Sequence, residues 1–129
     1  MVDIPEKKPN SILIVEDQAP LARALMLKLQ SAGFNPEVLS DGSEAVNRIK
    51  QTHYDLIILD LVMPNKDGFE VLRELRAVDS ETPVIIWSNL SQPEDVSRAE
   101  ALGVHEYWFK YNTPLGGVVD RVGAFFVPT

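Results

Sequence analysis

The chain is predicted to fold as a three-layer α/β domain, a doubly wound five-stranded parallel sheet with helices on both faces. Three observations carry this prediction. Short apolar runs alternate with stretches whose apolar residues recur at helical spacing. The connections are too long for hairpins, so the strands must be parallel and crossed over by helices. The 129 residues, 45% of them hydrophobic, suffice for one domain with a real core.

Ser11-Ile-Leu-Ile-Val15 is the first strand. From Pro20 to Ala32, the residues Leu21, Ala22, Leu25, Met26, Leu29 and Ala32 recur at helical spacing, and Gly33 supplies a stop. Glu37-Val-Leu39 is read as the second strand and Ser43 to Gln51 as a short helix with Ala45, Val46 and Ile49 inward. Leu56 to Leu59 is the third strand. The helix after it, entered by an Asp67-Gly68 turn, carries Phe69, Val71, Leu72, Leu75 and Val78 on one broad stripe. Pro83-Val-Ile-Ile-Trp87 is the fourth strand. Ser91-Gln-Pro-Glu94 fits a capping box, which predicts a helix running to Leu102 before Gly103 ends it. Tyr107-Trp-Phe-Lys110 is the fifth strand, and Thr113-Pro114 reads as the cap and first residue of a last helix. Gly116, Gly117 and Gly123 each cost that helix up to about 1 kcal/mol of propensity, so a frayed or plastic helix is expected. The domain is expected to span 11–127 after a tail of residues 1–10.

A net charge of −7 and a pI of about 4.7 argue against autonomous binding to nucleic acid or to an anionic membrane surface. Proteins or cations are the expected partners. The absence of cysteine excludes disulfides, thiolate metal sites and cysteine nucleophiles together. MVDIPEKKPN contains no apolar core of the length that a signal peptide or membrane span requires, so a soluble, cytoplasmic protein without membrane insertion is expected.

In a sheet of this class the ligand site lies beyond the carboxyl ends of the strands, where the strand order reverses. Glu16-Asp17 follow the first strand, Asp60 the third, Ser88-Asn89 the fourth, and Lys110 closes the fifth. All fall on one edge. With the common order 2-1-3-4-5, the first and third strands are neighbours, which gathers Glu16, Asp17 and Asp60 in one acidic pocket. Asp60 is the most telling, because a carboxylate ending a strand buried on both faces is costly unless paired. Three carboxylates so close repel one another and call for a counter-charge. An all-oxygen, open site suits magnesium. His53 and His105 precede strands and so belong to the opposite edge. An ammonium at Lys110 and a hydroxyl at Ser88, facing a magnesium-bound carboxylate, are suited to hold a phosphoryl group while that carboxylate attacks phosphorus in line.

With the acidic pair in ILIVED, Asp60 in LIILDLVMPNKDG, Ser88 in VIIWSN and Lys110 in YWFK, the chain resembles the receiver domain of two-component response regulators, of the chemotaxis-regulator-like, single-domain kind. The resemblance runs from about Asn10 to the last helix. It implies a flavodoxin-like three-layer sandwich, Asp60 as phosphoacceptor, and magnesium held by Glu16, Asp17, Asp60 and the backbone carbonyl of Val62. It further implies Ser88 and Tyr107 as a switch pair, a histidine kinase or histidine phosphotransfer protein as phosphodonor, and a downstream protein target reached through the fourth helix, fifth strand and last helix. The protein would be no enzyme, and a monomer or phosphorylation-dependent dimer. The residues up to Thr129 hold a receiver alone, expected to be either a diffusible single-domain regulator or phosphorelay intermediate, or a piece of something longer.

Other readings stand beside this one. Glu16 and Asp17 would serve equally as caps of the first helix, and Tyr107 as an ordinary strand aromatic. A phosphatase of the haloacid dehalogenase type needs a second acid two residues after the nucleophile, where this chain has Val62. A flavin or nucleotide binder needs donors rather than carboxylates after the first strand, where EDQAPL stands. The alternative kept is a pseudo-receiver that binds proteins without phosphorylation, of which two departures from the family pattern would be symptoms. Tyr111 follows Lys110 where proline is usual, leaving the loop after the fifth strand without its usual restraint. Asn89 stands where a small residue is usual.

Overall fold

The computed structural model describes residues 10–64 and 66–126. The expected tail before Asn10, and Val127 at the end of the expected domain, lie outside these residues. The elements are β1 (Ser11–Val15), α1 (Ala19–Ser31), β2 (Asn35–Leu39), α2 (Gly42–Gln51), β3 (Leu56–Leu59), α3 (Gly68–Val78), β4 (Val84–Ser88), α4 (Pro93–Ala101), β5 (Glu106–Phe109) and α5 (Leu115–Phe126).

Alternation along the central strands separates two apolar layers. Leu13, Val15, Ile57, Leu59, Val84 and Ile86 face one side of the sheet and pack on α2, α3 and α4 through Ala45, Leu72 and Ala99. Ile12, Ile14, Leu56, Ile58, Ile85 and Trp87 face the other and pack on α1 and α5 through Leu25, Leu29, Val118 and Val122. Burial on both faces explains why these strands read as unbroken apolar runs. The sheet order is β2-β1-β3-β4-β5, and every pairing is parallel. This is the doubly wound fold predicted, with the reversal of order between β1 and β3.

Several local expectations shift. β2 starts at Asn35 and takes in Pro36, which an edge strand accommodates because the missing N–H leaves no ladder partner orphaned at a free edge. Lys110 lies just past β5 rather than in it, and Ser88 ends β4. α4 begins at Pro93 with Gln92 as N-cap and no side-chain cap bond. The capping box therefore does not form, because proline at the first helical position moves the start one residue past Ser91. α5 begins at Leu115, with Val118 N–H donating to the Pro114 carbonyl at 2.9 Å, while the Thr113 hydroxyl donates to Asn112 Oδ1. Pro114 thus holds the cap position expected of Thr113. Despite three glycines, α5 is one continuous helix. Burial of Val118 and Val122 against the sheet outweighs weak propensity. Val78 and Ala32 lie exposed at their helix ends rather than on the buried stripes.

Candidate functional site

Each strand delivers its last residues to the same rim. Glu16 follows β1, and its backbone N–H donates to the Leu39 carbonyl at 3.1 Å. Asp60 follows β3, with its N–H on the Val15 carbonyl at 3.0 Å. The ladders thus hold the two acids side by side. One carboxylate oxygen each from Glu16, Asp17 and Asp60 lies within 4.8 Å of the others; Glu16 and Asp60 are buried and Asp17 is half-buried. The helix-cap reading of the acidic pair fails. The N-cap of α1 is Gln18, without a side-chain bond and with no acid in the first turn, and Glu16 Oε2 instead accepts from the Gln18 N–H at 3.1 Å.

Lys110 reaches in from the end of β5. Its Nζ lies 2.9 Å from Asp60 Oδ2 and 2.6 Å from Glu16 Oε1. Asp60 Oδ1 accepts from the Val62 N–H at 3.0 Å. Burial pushes the Glu16 carboxyl above its ordinary 4.5; the adjoining Lys110 ammonium opposes this and the charge of Asp60 adds to it. Burial also disfavours the Lys110 ammonium, but Glu16 and Asp60 outweigh burial and lift it above 10.5. The ammonium is the counter-charge that the acidic pocket requires.

The donor set fits a hard cation. It is all oxygen, its ligand atoms converge, and Glu16 Oε1, close to Lys110 as an ion pair, has no aligned hydrogen bond and keeps lone-pair capacity in a buried position. A cavity of about 360 Å³ opens above these acids, lined among others by Asp17, Asp60, Val62, Met63, Asn89 and Lys110. Another, of about 410 Å³, at the opposite edge by Phe34, Pro36 and Tyr54, contains none of the strand-end acids.

Ser88 and Tyr107 stand behind the cavity rather than in its lining. Ser88 is fully buried and its Oγ accepts from the Leu90 N–H at 3.2 Å. The Tyr107 hydroxyl donates to the Leu90 carbonyl at 2.7 Å, and burial, then the charges of Asp95 and Asp60, push it up to about 12. Both therefore grip the same residue, Leu90, between β4 and α4. His53 and His105 are exposed on the opposite edge, as expected, with His53 3.6 Å from Asp55. The peptide bond between Lys110 and Tyr111 is trans. Trp87, marked in the sequence by nothing but its place beside Ser88, has its indole ring centroid 5.3 Å from Lys110 Nζ.

The family model described as the response regulator receiver domain matches residues 12–115. The chain belongs to the response regulator receiver domain family. This receiver is 36% identical over 99 residues to the cell cycle response regulator CtrA of Brucella ovis, a match that covers 77% of this chain and 43% of that protein. The chain therefore spans less than half the length of that curated relative. Among solved structures, the receiver domain of the Francisella response regulator 1452 is similar at 30% identity and a TM-score of 0.81, covering 89% of this chain and 94% of that one. The Mn(2+)-bound form of response regulator Rcp1 is similar at 28% identity and a TM-score of 0.80, covering 94% and 96%. The receiver is a component of two-component signalling. Among its described residues, no helix is long and apolar enough to cross a membrane.

Proposed function

We propose that Asp60 accepts a phosphoryl group from a phosphohistidine of a histidine kinase or histidine phosphotransfer protein, or from a small phosphodonor, and that the product alters a protein-binding surface. The observation that carries this reading is the setting of Asp60. Its carboxylate sits at the mouth of a buried strand with one oxygen held by the Val62 amide and the other by Lys110, under a cavity that admits a donor. In the step proposed, a carboxylate oxygen of Asp60 forms the new P–O bond while the P–N bond to imidazole breaks, its electron pair staying with the ring, which takes up a proton. Lys110 supplies fixed positive charge where the phosphoryl oxygens gather.

Glu16, Asp17, Asp60 and the Val62 carbonyl are the residues that would hold magnesium. When bound, the ion neutralises charge on the transferring group and offsets repulsion among the acids. Ser88 and Tyr107 share Leu90, so a Ser88 hydroxyl drawn toward a phosphoryl group would release the Leu90 amide and disturb the carbonyl that Tyr107 holds. The change would reach α4, β5 and α5, the surface offered to a downstream protein. On this reading the receiver is no enzyme in its own right and works in the cytoplasm.

Intact-protein mass after incubation with magnesium and acetyl phosphate tests the proposal. A gain of one phosphoryl group, lost in Asp60→Asn and in excess chelator, is expected. No gain from acetyl phosphate or from several histidine kinases overturns it in favour of a phosphorylation-independent binding module. Val62, 51% exposed at the cavity rim, places an apolar group beside Asp60, where it would hinder a hydrolytic water. Val62→Asn is expected to shorten the life of the phosphorylated state a few-fold, followed by the decay of that mass gain; an unchanged decay removes this role.

A further inference from the structure

In the loop after β5, residues 110–114, the proline is Pro114 at the far end, and none stands directly after Lys110. Tyr111, which takes that place, is 68% exposed and stacks on Phe109, with centroids 5.4 Å apart and rings 17° from parallel, instead of packing inward. The backbone bond inside the loop is local, from Asn112 N–H to the Phe109 carbonyl at 3.2 Å. Yet the loop begins at Lys110, whose flexible stem must set its ammonium within reach of two carboxylates at once.

Trp87 supplies the missing restraint from two sides. Its side chain is almost wholly buried, and the indole N–H donates to the Thr113 carbonyl at 3.0 Å, across 26 residues of chain, which pins the far end of the loop. The ring also lies beneath Lys110, with Nζ 5.3 Å from its centroid, inside the range where an aromatic ring attracts an ammonium. The register of the sheet makes this possible. Trp87 pairs with Trp108 and Ser88 with Phe109 across β4 and β5, and the Lys110 N–H donates to the Ser88 carbonyl at 2.9 Å, so Lys110 leaves the sheet just beyond Ser88 with its side chain in reach of the Trp87 ring.

We propose that Trp87 is the positioning residue for Lys110, doing with a hydrogen bond and a ring face what a proline after the lysine would do by restricting the backbone. The proposal rests on the reading of Lys110 as part of a phosphoryl-accepting site. A core tryptophan with no such role would also seek a partner for its buried N–H, so the test follows Lys110 as well as the fold.

Two readouts are taken on the full chain at a temperature where every variant is folded: the rate of phosphoryl uptake from magnesium and acetyl phosphate, and the ¹⁵N NMR signal of the Lys110 ammonium. Trp87→Leu removes ring and donor, and is expected to slow uptake about tenfold and to shift or exchange-broaden the Lys110 signal. Trp87→Phe retains a ring face and is expected to lie between wild type and Trp87→Leu in both. Should Trp87→Leu fail to fold, Trp87→Phe carries the comparison. An unchanged Lys110 signal in the folded variants overturns the positioning role, whatever happens to uptake. So does a shifted signal with uptake at the wild-type rate. Absence of uptake by wild type overturns the acceptor reading instead, and the Lys110 signal still decides whether Trp87 holds the ammonium.

Discussion

Lys110→Met is expected to lower the stability of the chelator-treated protein by about 3 kcal/mol at neutral pH. Glu16, Asp60 and the Lys110 side chain are all buried, and the ammonium is within 2.9 Å of an oxygen of each acid. Removing it leaves two close carboxylates in a poorly solvated site. The pH dependence follows from Glu16. Its folded pKa is raised above 4.5, by burial first, so its stabilising contribution is complete below that value and is lost as pH rises through the folded pKa. The adjoining Lys110 ammonium restrains the rise. In Lys110→Met the rise is larger, and the deficit relative to wild type is expected to grow from acidic to neutral pH. Magnesium, which would compete with the ammonium if held by these acids as proposed, is expected to stabilise the variant more than it does wild type. Urea denaturation at several pH values, with magnesium and with chelator, measures each term. Stability like that of wild type in chelator at neutral pH would show that the two acids do not depend on Lys110.

Gly68→Ala is expected to cost a further large amount, about 3 kcal/mol, without touching any charged group. Gly68 opens α3 against the chain that has just left β3. A Cβ there would lie 2.3 Å from Leu61 Cα and 2.5 Å from the Leu61 carbonyl oxygen. Both are backbone atoms next to Asp60, and no rotamer change relieves the overlap. Relief requires moving the segment that carries the Val62 amide, whose N–H holds Asp60 Oδ1. The alternative, shifting the start of α3, is opposed by the Asp67 side chain, which caps that helix through the Phe69 N–H at 3.0 Å. Thermal or urea denaturation checks the loss, and phosphoryl uptake by the folded fraction is expected to slow as the Asp60 setting distorts. A change within about 0.5 kcal/mol would mean that the loop yields freely.

The site residues were legible because they follow strands whose apolar runs stop abruptly. LIILD announces its carboxylate by position alone, and the same holds for Glu16-Asp17 after SILIV. The polar residues around the lips of the site were less legible. Ser91-Gln-Pro-Glu94 has the spacing of a capping box, but Pro93 takes the first helical position and the box never forms. Three glycines in α5 signalled fraying, yet Val118 and Val122 bury against the sheet and keep the helix whole.

By itself, the sequence determined that this is a doubly wound α/β domain whose acids, hydroxyl and lysine leave the strands at a common edge. Periodicity and run length suffice for that, because they depend only on which residues must leave water. Tertiary structure alone decided that Lys110 neutralises Glu16 and Asp60 together, that Ser88 and Tyr107 share Leu90, and that Trp87 bonds the Thr113 carbonyl and faces Lys110. Those outcomes depend on distances of a few ångströms between residues far apart in the chain. Ion pairs, hydrogen bonds and ring contacts form or fail over such distances, and strand register sets them.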